Sequence, residues 1–267
     1  MPSNSLKTTH VFMITSSLLV TCALPVFLSP LLTYLENGNI RLNKYFALQY
    51  HVQEEKYRTM VNLAGEYMYR TVRVQYPCLV ALSICVLVYR YSVLLFRLNN
   101  GFKNIEFITV PESILKLRND YNKIERKLHD LKDILSTSLF LILIICFCDL
   151  YVALSFALQK ELMPFLLSEL YCNAFSGTVV LFSLTIFGAK IPEYMMEIKT
   201  TVRFLRDKYE FGCAISRKEI RVLNRIIKKD IIYLTAGGFI DFKKNFLLTA
   251  LGTMFTYGLL IISFNRS

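Results

Sequence analysis

Residues 117–158 read LRNDYNKIERKLHDLKDILSTSLFLILIICFCDLYVALSFAL. In the first half, Leu117, Tyr121, Ile124, Leu128, Leu131 and Leu135 recur at spacings of 4, 3, 4, 3 and 4, and Lys, Arg, Asp and Glu fill the other faces. That period marks an amphipathic helix with one narrow apolar stripe. From Ser136 the charges stop, and Asp149 is the single charged residue before Leu158. A hydrocarbon core takes about 20 apolar residues in a helix, so 135–158 is long enough to cross it. Neither Gly nor Pro interrupts the join. The stretch therefore predicts one helix that begins in water and ends in lipid.

Four further segments meet the same criterion: about 11–35, 74–96, 164–188 and 245–264. The chain is thus read as an all-α membrane protein with five transmembrane helices. Pro25 and Pro30 are expected to kink the first, which neighbouring helices tolerate. That segment is too long for a signal peptide and lacks a small-residue cleavage site before a polar mature region. The mean hydropathy of +0.41 and a charged content of 19% agree, since soluble domains are about a quarter charged. A net charge of +11 would suit nucleic acid. The bases, however, cluster between apolar runs, a pattern of membrane topology, and no nucleic-acid partner is expected. Most of the 7 cysteines lie inside apolar runs, and Cys146 and Cys148 lack redox or zinc spacing. His10, His51 and His129 form no metal-spaced pair. No metal, cofactor or catalytic residue is expected, and an enzyme such as a membrane transferase would need a His or Asp cluster that is missing.

Loop charge gives the orientation. Arg97, Lys103, Lys116, Arg118, Lys123, Arg126, Lys127 and Lys132 lie between the second and third spans. Between the fourth and fifth, the bases run from Lys190 through Arg225, Lys228 and Lys229 to Lys244. The turn between the third and fourth offers Lys160 alone, and 36–72 is close to balance. The two basic loops are therefore expected in the cytoplasm of a plasma-membrane protein, with the C-terminus outside. The sequon at Asn265 hugs the chain end and is expected to stay bare.

Neither basic loop reads as disordered. Ile191, Met195, Ile198, Val202 and Leu205 form a second stripe leading out of the fourth span. Ile220, Leu223, Ile227 and Ile231 form a third, and Gly212 separates the two. Three stripes that need burial predict cytoplasmic helical extensions packed as one anchor bundle; amphipathic helices lying on anionic lipid are the alternative. Three parts follow: 1–110 with the first two spans and an external loop, 111–244 with the extensions and the next two spans, and 245–267 with the last helix.

The C-terminal stretch is more specific. Thr235-Ala236-Gly237-Gly238-Phe239, a short polar linker, and Thr256-Tyr257-Gly258-Leu259-Leu260-Ile261-Ile262-Ser263-Phe264 resemble the end of the arthropod gustatory receptors, relatives of the insect odorant receptors. In that family the last helix carries Thr-Tyr, five apolar residues and Gln-Phe. Thr256, Tyr257 and Phe264 match it, while Ser263 stands at the Gln position. Lys127-Leu128-His129-Asp130-Leu131 is similar to the helix leading into the family's fifth span. The resemblance implies seven spans, a cytoplasmic N-terminus, an external C-terminus and a tetrameric ligand-gated cation channel. It also implies a pore lined by the last helix, cytoplasmic helices joining the subunits, and small-molecule tastants bound in an outward pocket. The five spans correspond to the family's third to seventh, so the chain is expected to be a piece of a longer one or a naturally short relative.

Two groups of residues stand out. Thr249, Thr253, Thr256, Leu260 and Ser263 share one helix face at spacings of 4, 3, 4 and 3. As pore lining, the hydroxyls would solvate a cation and Leu260 would close the path by dewetting; the alternative is a small-residue packing face. Asp149 and Glu169 are carboxylates within spans, where charge is costly and faces a cavity or partner. Both lie about 13 to 17 Å from the turn at Lys160. Asn173, Tyr151 and Tyr171 are nearby in sequence, so the five form a candidate tastant pocket; the alternative is an interhelical hydrogen bond with one carboxyl protonated. Arg90 is expected to snorkel to the headgroups. Rival functional readings are a fragment of a G-protein-coupled receptor, against which the absence of Asp-Arg-Tyr and Asn-Pro-x-x-Tyr steps counts, and a non-conducting truncated relative.

Overall fold

The structure is a computed structural model that describes residues 54–105, 110–157, 164–211 and 217–266, together with scattered helical positions between 12 and 27. The first expected span, 11–35, lies largely outside the described residues. Helix α1 (Glu55–Arg70) passes through a π turn (Thr71–Gln75) directly into α2 (Tyr76–Lys103). Helices α3 (Val110–Ala157) and α4 (Pro164–Phe211) follow, then α5 (Arg217–Lys228), a hairpin of β1 (Thr235–Ala236) and β2 (Ile240–Asp241), and α6 (Lys244–Arg266). Three of the described helical stretches, Lys56–Lys103, Glu112–Phe156 and Leu170–Glu210, are long and apolar enough to cross a membrane.

The long helices follow from the sequence. Helix α3 runs 48 residues without a break, as the join at Ser136 predicts. Pro111 and Pro164 sit in the first turns of α3 and α4, where a missing N–H costs nothing. The stretch before α2 differs from expectation: 36–72 reads as an external loop, yet from Glu55 it is helix continuous with the second span. Pro77 denies a donor to the carbonyl four residues back and crowds it. The backbone widens there into the π turn, with the Tyr76 N–H bonded to the Thr71 carbonyl, and the helix continues.

The described chain divides into two compact units. One comprises residues 84–143 and 184–251. Its core is made of the predicted stripes: Tyr121, Leu128 and Leu131 from α3, Ile191, Met195, Ile198, Val202 and Leu205 from α4, and Leu223 from α5 are all buried. Val222 and Ile226 are buried too, so α5 uses a wider face than its stripe suggested. Ile231 falls outside α5, which ends at Lys228. The chain then turns into the hairpin, where Gly237 (φ 60°) and Gly238 (φ 76°) fill the two left-handed positions of a tight turn closed by Phe239 N–H on the Ala236 carbonyl. The Gly237 N–H donates to the Ser136 carbonyl at 2.9 Å, pinning the turn to α3. Phe242, fully buried, presses on Gly188 of α4, where an added Cβ would sit 2.8 Å from the phenylalanine Cβ. Across this unit Lys229 joins Glu125 and Asn122, Lys103 joins Glu197, and Lys244 joins Glu193.

The other unit comprises residues 1–83, 144–183 and 252–267. Its core is thinner: Val74, Cys78, Ala81, Cys146, Leu150, Ala153, Val180 and Leu181. Ile144, Ile145, Phe175, Phe255 and Leu259 are large apolar side chains on its outside. Such a surface suits lipid, which solvates apolar side chains but no open backbone, so helices carry every segment across. The chain is a multi-pass, all-α membrane protein.

Candidate functional site

Asp149 is 6% exposed within α3. Its Oδ1 accepts from Arg73 Nε at 3.2 Å and from Arg73 Nη2 at 3.1 Å. Arg73 Nη1 donates to the Tyr69 hydroxyl one helical turn earlier, and the guanidinium carbon lies 5.5 Å from the Tyr69 ring centroid. A guanidinium offers several donors in one plane, so Arg73 satisfies the carboxylate and the phenol together. Arg73 therefore supplies the counter-charge, and it is a residue the sequence reading did not single out. The available signal was a base between Val72 and Val74, at the very edge of the span expected at 74–96, where an ion-pair partner is favoured. Glu169 belongs to α4 by its backbone, but its side chain lies outside the described residues.

The other pocket candidates diverge. Asn173 is 5% exposed, and its backbone carbonyl accepts from Ser176 Oγ at 3.0 Å. Tyr151 and Tyr171 are on the outside of their helices, 51% and 68% exposed. The structure thus brings a part-buried polar group together around Asp149, Arg73 and Tyr69, and leaves the two tyrosines facing outward. Gly177 lets α4 approach closely: a Cβ there would stand 3.4 Å from the Cys146 carbonyl oxygen and from Leu150 Cγ.

On α6, Thr249, Thr253, Thr256, Leu260 and Ser263 are all exposed on the protomer. Thr249 and Thr256 donate to the carbonyls of Asn245 and Gly252 at 3.1 and 2.9 Å, and Ser263 donates to that of Leu260 at 2.7 Å. Back-bonded hydroxyls keep their oxygen lone pairs pointing away from the helix. Helix packing uses other positions. Ala250 and Gly258 are buried, and a Cβ on Gly258 would stand 3.1 Å from Leu154 Cδ2. Within the motif, Tyr257 is exposed, and the side chain of Phe264 lies outside the described residues. Among the described residues, no group of three His, Cys, Asp or Glu is placed to hold a metal ion.

Long helices that run well past their apolar segments, a glycine hairpin and a shorter last helix make a fold similar to that of an insect olfactory receptor. Two solved structures carry the likeness. Insect olfactory receptor OR5 from Machilis hrabei in complex with eugenol superposes with a TM-score of 0.62 over 96% of this chain and 70% of its own, at 12% identity. A second structure of the same receptor gives 0.56 over 95% and 69%, at 14% identity. No protein-family model matches the chain, and no curated protein matches it by sequence. The likeness is one of fold.

Proposed function

We propose that the chain is a subunit of a chemosensory ligand-gated cation channel of the insect odorant and gustatory receptor superfamily, on its gustatory branch. The carrying observation is the uncovered hydroxyl face of α6 in a chain with the olfactory-receptor fold. In this reading four related subunits, identical or mixed, set that face around a central path. Thr249, Thr253, Thr256 and Ser263 solvate a partly hydrated cation, and Leu260 gates by dewetting. Ser263, in place of the family's Gln, leaves a wider outer mouth. The basic extensions stand in the cytoplasm and join subunits within 111–244, while the last helix, 245–267, ends outside the plasma membrane. The polar cluster at Asp149 serves the small-molecule site, to which Glu169 and Asn173 also contribute, with Tyr151 and Tyr171 toward lipid or a neighbouring subunit.

Substituted cysteines at Thr253 and Ser263 test this in cells that give tastant-evoked current. A charged, membrane-impermeant thiol reagent is expected to reduce current at both positions and to leave Leu248→Cys unaffected. Equal insensitivity at the hydroxyl positions, or a tastant response that needs a G protein and carries no direct current, would defeat the reading.

A further inference from the structure

The unit built from the basic stripes holds a concave site. A cavity of about 370 Å³ opens between the first part of α3 and the end of α5, floored by Ile226 and walled by Arg118, Asn122, Glu125, Arg126, Arg225 and Lys229. Its one carboxylate is already committed. Lys229 Nζ pairs with Glu125, donates to Asn122 Oδ1 at 2.7 Å and sits 5.2 Å from the Tyr121 ring centroid.

The three guanidinium groups have no such match. Among the described residues none of them pairs with a carboxylate. Arg118 Nη2 reaches the Asn119 side-chain oxygen at a long 3.4 Å, and its Nε is buried with no hydrogen-bond partner. Arg126 contacts the Asn122 carbonyl through Nε at 3.4 Å, leaving its terminal nitrogens uncommitted. Arg225 is exposed at the rim. A buried donor without an acceptor costs stability, and three like charges on one concavity repel. An anion that takes several guanidinium forks at once relieves both.

We propose that this cavity binds a compact, multiply phosphorylated anion, an inositol polyphosphate free or as a lipid headgroup, and that the anion ties α5 to α3. Phosphate oxygens accept two parallel guanidinium hydrogen bonds, the geometry for which arginine exceeds lysine. The cavity volume falls in the range of small-molecule sites and is too small for an extended acidic peptide. Position separates the two sources. Arg126 and Arg118 precede the apolar run at Ser136 by about 15 and 27 Å along the helix. Headgroups extend only about 5 to 8 Å beyond the hydrocarbon, so the free anion reaches the cavity more easily.

The test uses the full chain, purified in detergent. Inositol hexakisphosphate is titrated at physiological salt, beside nanodiscs with and without phosphatidylinositol 4,5-bisphosphate. Saturable binding is expected, with a rise in thermal midpoint. Arg118→Gln and Arg225→Gln should each weaken it by about 10-fold, Arg118→Lys should restore part of the loss, and Lys127→Gln, which removes the same charge outside the cavity, should change it less than about 2-fold. Binding of the lipid discs alone, lost in the same two variants, keeps the site and assigns the membrane source. An equal effect of Lys127→Gln, no saturable binding of either probe, or occupancy by an acidic segment of a neighbouring copy overturns the proposal. None of these readouts depends on channel activity, so the site and the channel reading fail separately.

Discussion

The chain makes the same bond in two different solvents. Asp149 with Arg73 and Glu125 with Lys229 are both cross-helix ion pairs, each reinforced by a tyrosine ring. Around the first, neighbours are apolar and the outer surface is fit for lipid. Around the second, bases crowd an open concavity. Asp149 is the more deeply buried carboxylate, with its side chain 7% exposed, so a charge that loses its partner there is poorly compensated. In the second, water and ions take over much of the interaction. Two pairs of like kind therefore predict unequal consequences, and the comparison is open to attack at four points.

The largest effect is expected from Arg73→Met, which takes the guanidinium away from the buried Asp149 carboxylate. Stability in mixed-micelle unfolding should fall by about 3 kcal/mol, at the lower end for a broken buried pair because Arg73 is 34% exposed. Adding Asp149→Asn should recover much of the loss. A double variant as unstable as the single one would show that the guanidinium matters for packing rather than charge.

Next comes the hairpin. Gly237→Ala forces a side chain into φ 60° and brings its Cβ to 3.1 Å from Phe140 Cδ2. A cost of about 1–2 kcal/mol is expected from the backbone alone, seen as a lower thermal midpoint. Gly238→Ala, at φ 76° but with nothing within 4 Å, should lose only that backbone part. Identical losses at the two positions would mean that the contact with Phe140 is irrelevant.

Lys229→Met attacks the second ion pair, whose side chains are 28% and 15% exposed. About 1 kcal/mol is expected, well below the Arg73 variant, because water reaches the vacated carboxylate. The same substitution frees Glu125 to face the arginines, so inositol hexakisphosphate binding should weaken as well. Should Lys229→Met prove as damaging as Arg73→Met, the contrast between the two settings is wrong. The smallest effect belongs to Lys103→Met: its pair with Glu197 is 48% and 43% exposed and should be worth under about 1 kcal/mol.

How much of this was legible in the sequence follows the same divide. The apolar stripes of α3, α4 and α5 were readable because burial imposes a helical period, and the join at Ser136 because charge stops there. Pairings across the chain were not. Arg73 lies 76 residues from Asp149, and no local pattern connects them. Arg118, Arg126 and Arg225 were legible as loop charge, but their convergence depends on how α5 returns to α3. Gly237-Gly238 stood out as a motif, while the turn it makes needed the two positive φ values to be seen. Ile231 fits the period of α5 yet lies past its end, because periodicity carries no stop signal of its own. On α6, spacing set the hydroxyls on one face but was silent on which face packs; Ala250 and Gly258 decide that.

The unbroken run of α3 has an evolutionary corollary. Its 48 residues make a helix about 72 Å long, with Tyr121 and Leu143 both seated in one core. Inserting one residue between them would turn everything downstream by about 100° and misdirect every buried side chain beyond that point. Substitution can explore such a helix freely, but gain or loss of single codons cannot, except near its ends. Descendants of this chain should therefore differ widely in letters while keeping the distance between those two positions fixed.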